Sequence, residues 1–344
     1  MLTRRQLAAL ALAPSKQKLF DIKQVHRHAW LAVARPAAML NCNAAVFEQS
    51  DGLLVVDTHS KPSAAAALVR QLREEVSPKP VRYIIQTHFH YDHTQGTAAY
   101  PGVPVIGTAA TRAMLATIGA QRAAANVESM RRAAAAAAGK PGEYWRRLRE
   151  EAEAFVAEMR DYRPVLPDIT FPDSDSGLVL HDRLQDLHLI FRGRAHTASD
   201  ICVWSPEAKL LATGDLLTGF VPGMGDGFPL DWPATLRSVA KLDFARVLPG
   251  HGEVQEGKRH LALLTGYIEE LNEAVSRAKS AGMTTWEVQN AVTPATLASF
   301  RGEFGRIAAA TERRFRLRAP GSSAADAMAR AVRANVARVY ELTS

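Results

Sequence analysis

The chain has 344 residues, 47% of them hydrophobic and 22% charged, which is the composition of a soluble globular enzyme with room for a large core. Lys and Arg outnumber Asp and Glu by 42 to 35, a spread-out excess of +7 that does not amount to a nucleic-acid-binding stripe. Two cysteines, Cys42 and Cys202, lie far apart outside any CxxC pair and exclude both a disulfide framework and a cysteine-based zinc site.

In chain order, MLTRRQLAALALAP comes first. Its twin arginine, short apolar stretch and Ala11-Leu12-Ala13 pattern resemble a twin-arginine export signal. That implies a periplasmic or secreted protein; the alternative is a frayed N-terminal helix on a cytoplasmic one. Residues 1–25 are read as this tail. No run approaches the roughly 18 apolar residues that a membrane span requires.

From 26 to 60 the pattern is strand-like: HAWLAVA, NAAVFEQ, then LLVVDT after an Asp51-Gly52 turn. KPSAAAALVRQLREEV (61–76) reads as a helix with Pro62 in its first turn. VRYIIQT is then a buried strand that runs into a polar loop, and VPVIGT is another strand. This alternation is an α/β arrangement. Residues 109–163 change character. An alanine run, 133–138, is followed by Trp145, Leu148, Ala152, Phe155 and Met159 at helical spacing, so a helical insertion of two or three helices is expected. The basic clusters Arg131–Arg132 and Arg146–Arg149 fall in it and read as solvated helix faces.

Strands return over 169–213 as ITF, LVL, LHLIF, ICVW and KLLATG. Cys202, within ICVW, is expected to be a buried thiol. Beyond 255 the chain is helical. Leu261, Leu264, Ile268, Leu271 and Val275 form a stripe, Thr284-x-x-Glu287 is a capping box, and 323–342 is a last helix. Nothing in the chain signals its oligomeric state.

The polar loop after VRYIIQ is THFHYDHTQG (87–96). His88 and His90, two apart at a strand end, point to the same side, and Asp92 and His93 follow as the chain turns. Zinc takes about four ligands, so this loop needs partners. They are available at other strand ends: His196 in GRAHTASD, Asp215 in LLATGDLL and His251 in RVLPGHGEV. Ligand-type residues at the carboxyl ends of strands are where open α/β sheets place their sites. His26, His28, His181, His188 and His260 read as hydrogen-bonded structural residues, and His59 is not assigned to the set.

THFHYDHTQG, GRAHTASD, TGDLL and PGHG, in this order, resemble the metallo-β-lactamase-fold hydrolase superfamily over residues 28–255. The resemblance implies a four-layer αββα sandwich with a catalytic domain at 26–255, a helical insertion and a C-terminal helical extension at 256–344. It implies two Zn2+ per chain, with Fe or Mn as alternatives. His88, His90 and His196 would hold one ion, Asp92, His93 and His251 the second, and Asp215 would bridge them, with Asp57 supporting the metal loop from behind. A metal-bridging hydroxide would then attack a carbonyl substrate, with Asp92 as ligand and proton acceptor. A lactone, thioester, ester or β-lactam-like amide is the expected small-molecule substrate. Aspartate at the bridging position departs from the lactamases with cysteine there, no lysine stands ready to grip a β-lactam carboxylate, and no glutathione-gripping residues are found. TGFVPGMGDGFPLDWP (218–233), with Phe220, Phe228 and Trp232, reads either as pocket rim or as a plain connection. The alternatives carried are a phosphodiesterase and a mono-iron thiol or persulfide oxygenase on the same scaffold.

Overall fold

The computed structural model describes residues 18–343 apart from 38, 173–176 and 318; the export-signal-like segment therefore lies outside the described residues. The chain divides into two compact units. Within the described residues the first takes in 18–172, 181–185 and 316–320, and the second 177–180, 186–315 and 321–343.

The first unit is built on a seven-stranded sheet whose strands lie side by side in sequence order: β1 (Phe20–His26), β2 (Ala29–Ala34), β3 (Ala44–Gln49), β4 (Gly52–Val56), β5 (Val81–Ile85), β6 (Val105–Thr108) and β7 (Ile169–Phe171). The first four form an antiparallel meander, and β4 to β7 pair in parallel. The switch follows from the connections: β3 and β4 are joined by the tight Ser50–Asp51 turn, whereas helix α1 (Pro62–Glu75) carries the chain back from β4 to β5. Every residue of β4 is buried, and Ala64, Ala65, Leu68 and Leu72 of α1 share a core with Leu53, Val55 and Ile84. Strand β1 was not legible in the sequence. Its residues alternate poorly between buried and exposed, as an edge strand's can, and it extends the sheet upstream of residue 26.

The insertion consists of two helices, α3 (Ala109–Ala137) and α4 (Glu143–Met159); the short α2 belongs to the site below. The alanine run closes α3, and Phe155, Met159 and Val127 bury together. Its basic clusters are tied up on the surface: Arg131 and Arg132 pair with Glu128, and Arg146 with Glu150. Such exposed pairs add little stability, but they neutralise the face as expected.

The second unit is built on a six-stranded sheet in the order β13-β12-β11-β10-β9-β8, with β8 (Leu178–Leu180), β9 (Leu187–Phe191), β10 (Ile201–Ser205), β11 (Leu210–Gly214), β12 (Arg246–Pro249) and β13 (Gln255–Glu256). Only β11 and β12 are parallel, because helix α5 (Trp232–Val239) lies between them in the chain. Five further helices follow: α6 (Arg259–Ser280), α7 (Thr285–Ala291), α8 (Ala298–Arg301), α9 (Glu303–Phe315) and α10 (Ala324–Leu342). The stripe read from the sequence, Leu261 to Val275 on α6, is buried along its length, and each such side chain contributes about 1.5–3 kcal/mol of transfer free energy. The Thr284–Glu287 capping box is present, and Ser323 with Asp326 forms another. The C-terminal helices share one hydrophobic core with α5 and the sheet: Val332 and Val336 cluster with Leu236, Leu211 and Cys202. Both cysteines are free and buried, Cys202 as expected, and burial pushes the Cys202 thiol up to about 12. Among the described residues no helix is long and apolar enough to cross a membrane.

Candidate metal centre

In the first unit the ligand-type residues follow β5. His88 and His93 are completely buried, Asp92 nearly so, and His90 is half-buried at the start of α2 (Tyr91–Thr94). His88 Nε2 lies 3.1 Å from His90 Nδ1, and His93 Nε2 lies 3.7 Å from Asp92 Oδ2.

Asp57, at the end of β4, organises this loop from behind. Its Oδ1 accepts the Thr87 backbone N–H at 2.9 Å, and its Oδ2 accepts from Thr87 Oγ1 at 2.9 Å and His93 Nδ1 at 2.7 Å. These bonds fix two tautomers. With its Nδ1–H given to Asp57, His93 has Nε2 as its acceptor nitrogen. Thr87 spends its one hydroxyl proton on Asp57, so it accepts from His88 Nδ1 at 2.9 Å, and the proton of His88 is likewise on Nδ1, leaving Nε2 as the acceptor nitrogen. One carboxylate thus presets both imidazoles for a cation.

The turn carrying Asp57 has an uncommon backbone. Asp57 and His59 have φ of 65° and 71°, the left-handed region that non-glycine residues rarely adopt. Neighbours hold it there: Thr58 N–H and Thr58 Oγ1 both donate to the His93 carbonyl, Gly96 N–H donates to the His59 carbonyl, and His59 Nδ1 bonds the Cys42 carbonyl at 2.8 Å. Gly96 is required by contact: a Cβ there would stand 1.6 Å from the Thr58 carbonyl oxygen. His59, stacked on Phe20, braces the ligand-type loop, whereas the sequence reading noted its place after Asp57 and left it outside the ligand set. Its position two residues after Asp57 was the available signal. Cys42, Asp57 and His93 also place donor atoms within 4.8 Å of one another, but burial pushes the Cys42 thiol up to about 12, away from the thiolate a metal needs.

In the second unit three strand-end turns bring His196, Asp215 and His251 together. A single oxygen, Asp215 Oδ2, lies 3.6 Å from His196 Nε2 and 3.4 Å from His251 Nε2. All three residues are less than a tenth exposed. The His196 loop is folded by Asp200, which accepts Thr197 N–H at 2.7 Å and Thr197 Oγ1 at 2.9 Å. The Asp215 and His251 turns are laced together by Gly250 N–H to the Gly214 carbonyl and Gly219 N–H to the His251 carbonyl. Asp200 was not singled out in the sequence; its signal is the threonine three residues earlier, a spacing at which a carboxylate can bond back to that residue's N–H and hydroxyl.

The expected rim residues divide. Phe228 is half-buried, with the Arg194 guanidinium 4.4 Å from its ring centre. Trp232 is completely buried, edge-on to His196 at 5.6 Å, and its Nε1–H donates to the Leu216 carbonyl at 3.1 Å. Phe220 is buried beside His251. Of the three expected rim residues, Phe220 and Trp232 are thus closed off from solvent beside ligand-type histidines, and Phe228 is partly exposed. Of the histidines read as structural, His28 bonds Glu48 at 2.9 Å and His260 bonds the Thr218 carbonyl at 2.8 Å, and burial holds the His260 pKa low.

Two donor atoms about 2.0–2.1 Å from one tetrahedral zinc lie about 3.3–3.4 Å apart. The four donor pairs above, each measured within one unit, cluster around that edge length. The residues therefore fit a metal, and these His and Asp clusters are able to hold one.

Residues 38–251 match the sequence model of the metallo-beta-lactamase superfamily. That is more than half of the chain, and the chain belongs to this superfamily. It is 22% identical over 281 residues to the linear primary-alkylsulfatase of Pseudomonas sp. (strain ATCC 19151), covering 74% of this chain and 51% of that protein. It is 33% identical over 81 residues to the metallo-beta-lactamase type 2 of Bacillus cereus, covering 22% of this chain and 31% of that protein. The chain thus spans about half or less of the length of these curated relatives. Among solved structures it resembles the metallo-beta-lactamase FIM-1 from Pseudomonas aeruginosa in a mono-zinc form, with a TM-score of 0.53 and 20% identity over 75% of this chain and 98% of that one. The metallo-beta-lactamase from Pontibacter korlensis is similar with a TM-score of 0.52 and 18% identity over 71% of this chain and 98% of that one. The fold is the α/β fold of that superfamily with a helical C-terminal extension, as the sequence resemblance implied.

Proposed function

We propose that the two half-sets close one binuclear zinc centre and that the protein is a hydrolase of small carbonyl compounds: lactones, thioesters, esters or β-lactam-like amides. In this reading His88, His90 and His196 hold one ion, Asp92, His93 and His251 hold the other, and Asp215 serves both. The observation that carries it is the set of donor pairs at tetrahedral edge lengths, above all the single Asp215 oxygen shared by His196 and His251. Zinc held there would supply Lewis acidity and a water acidic enough to attack at neutral pH.

The chain's own groups do the rest. Asp57 and Thr87 keep the ligand nitrogens of His93 and His88 deprotonated and aimed. Asp92, whose carboxylate lies beside His93, would accept and hand on the proton lost by the nucleophile. Two carboxylates and five neutral imidazoles would offset only half of the charge of two zinc ions, leaving a positive site that suits a neutral or weakly anionic electrophile. The twin-arginine-like segment supports action outside the cytoplasm, which fractionation of the expressing cell checks.

A second reading keeps the centre and changes the electrophile. The alkylsulfatase is similar over 74% of this chain, which favours a sulfate ester of an apolar alcohol. The deciding experiment is metal analysis coupled to turnover of chromogenic lactone, thioester, β-lactam, sulfate-ester and phosphodiester probes by zinc-, iron- and manganese-reconstituted protein. Two zincs per chain and zinc-dependent acyl hydrolysis are expected. Sulfate-ester turnover alone selects the second reading, one iron per chain selects an oxygenase, and full turnover by metal-free protein overturns the metal centre.

A further inference from the structure

The role of the C-terminal extension can be read from one buried amide. Helix α10 presents Met328, Val332, Val336 and Val339 to the core, and Asn335 sits in this apolar face at 1% exposure. A buried amide costs free energy unless each group is bonded. Here two bonds go to a loop more than a hundred residues away and one to α6: Asn335 Oδ1 accepts Met224 N–H at 3.2 Å, and Nδ2 donates to the Pro222 carbonyl at 2.9 Å and to Tyr267 Oη at 3.1 Å. The orientation is set, since a flipped amide would aim N–H at N–H. One turn further along, Arg338 Nε donates to the Gly227 carbonyl at 3.1 Å, and Asn272 on α6 donates to the Pro229 carbonyl at 2.8 Å.

The loop held in this way, 218–231, contains no helix or strand, so its backbone groups depend on outside partners. Near its start Phe220 lies against His251. Near its end Phe228 N–H donates to the Ala195 carbonyl at 2.7 Å, one residue from His196. It therefore runs from one metal-type ligand to another, carrying the half-buried Phe228 and the exposed Leu230.

We infer that α10 is a positioning element: Asn335 and Arg338 fix the 218–231 loop as an apolar wall beside His196 and His251, and so set the size of the apolar group a substrate carries. This rests on the hydrolase reading for its kinetic consequence, though not for the loop's dependence on α10.

The test uses the full zinc-loaded chain with Asn335→Leu and Arg338→Met, and two readouts. By hydrogen–deuterium exchange, peptides covering 220–230 exchange about tenfold or more faster in Asn335→Leu, and less so in Arg338→Met, with zinc content unchanged. By kinetics on a homologous series of acyl or sulfate esters, KM rises about fivefold or more for the long-chain members, while kcat for the shortest stays within about threefold. A merely structural role would move all members alike. Unchanged exchange in both variants overturns the positioning role, and faster exchange with an unchanged chain-length profile overturns the role in selectivity. Should Asn335→Leu fail to fold, Arg338→Met carries both arms, because its side chain lies at the edge of the core. Absence of turnover in the unmodified protein sinks the hydrolase reading and the selectivity with it, while the exchange readout still decides whether α10 holds the loop.

Discussion

His93 donates its Nδ1–H to Asp57 Oδ2 at 2.7 Å, and both side chains are shut away from solvent. The bond lets a buried carboxylate choose which nitrogen of a metal-type histidine is the acceptor, and through Thr87 the same carboxylate chooses for His88. Asn is the informative substitute at position 57 because it tolerates the left-handed backbone there. Asp57→Asn is expected to keep the fold by circular dichroism and to lose about 10–100-fold in zinc affinity, measured by competition with a chromophoric chelator. Unaltered affinity would show that the carboxylate's charge is irrelevant to the ligands.

Gly96 gives a sharper stability prediction. Its N–H bonds the His59 carbonyl while its Cα passes the Thr58 carbonyl too closely for any side chain. The obstacle is backbone, which cannot rotate away. Gly96→Ala should destabilise the protein by about 3 kcal/mol or more, at the upper end of overpacking costs, read from denaturant unfolding of the metal-free chain. A loss below about 1 kcal/mol would mean that the turn relaxes freely.

What could be read from the chain, and what could not, divides along sequence distance. His88, His90, Asp92 and His93 fall within six positions, and His196, Asp215 and His251 each follow an apolar run, so strand-end chemistry announces them without tertiary information. The parts that hold them are generic residues. Thr87 matters only because Asp57 and His88 flank its hydroxyl, and Asn335 only because Pro222 and Met224 lie across the core. Trp232 reads from the sequence only as an aromatic in a Gly- and Pro-rich stretch. Asp231-Trp232-Pro233 is in fact the start of α5, with Pro233 in its first turn, and that signal was open to reading. Strand β1 escaped because FDIKQVH lacks the period-two pattern on which strand recognition depends.

Cys202 predicts an alkaline dependence of stability. Burial raises its thiol from 9.0 to about 12, so the folded state keeps the proton through a window in which the unfolded chain has lost it. A raised folded pKa means that stability is fully present below pH 9 and falls as pH climbs towards 12. The thiol's share of the slope is at most about 1.4 kcal/mol per pH unit. Denaturant unfolding at a series of pH values should show a steeper alkaline decline for the native chain than for Cys202→Ala. Parallel declines would refute the assignment. In the same range a thiol reagent should label Cys202 only at the rate of unfolding.

Asp215 separates one metal from two. One of its oxygens is shared between His196 and His251, which the proposed centre assigns to different ions. If that assignment holds, Asp215→Asn removes a negative charge that both ions use, leaving one ion with three neutral imidazoles and the other with two imidazoles and Asp92. Both affinities should fall, so that zinc titration of the variant shows two weakened steps, each by about 100-fold, and zinc no longer raises the melting temperature at concentrations that saturate the native chain. A centre with one ion behaves differently. There a single step weakens, and the native chain itself binds one equivalent. Asp92→Asn provides the contrast: it touches only the ion assigned to His93 and His251, so one step should weaken while the other stays where it was. Equal weakening of both steps in Asp92→Asn, or of neither in Asp215→Asn, would break the assignment of ligands to ions.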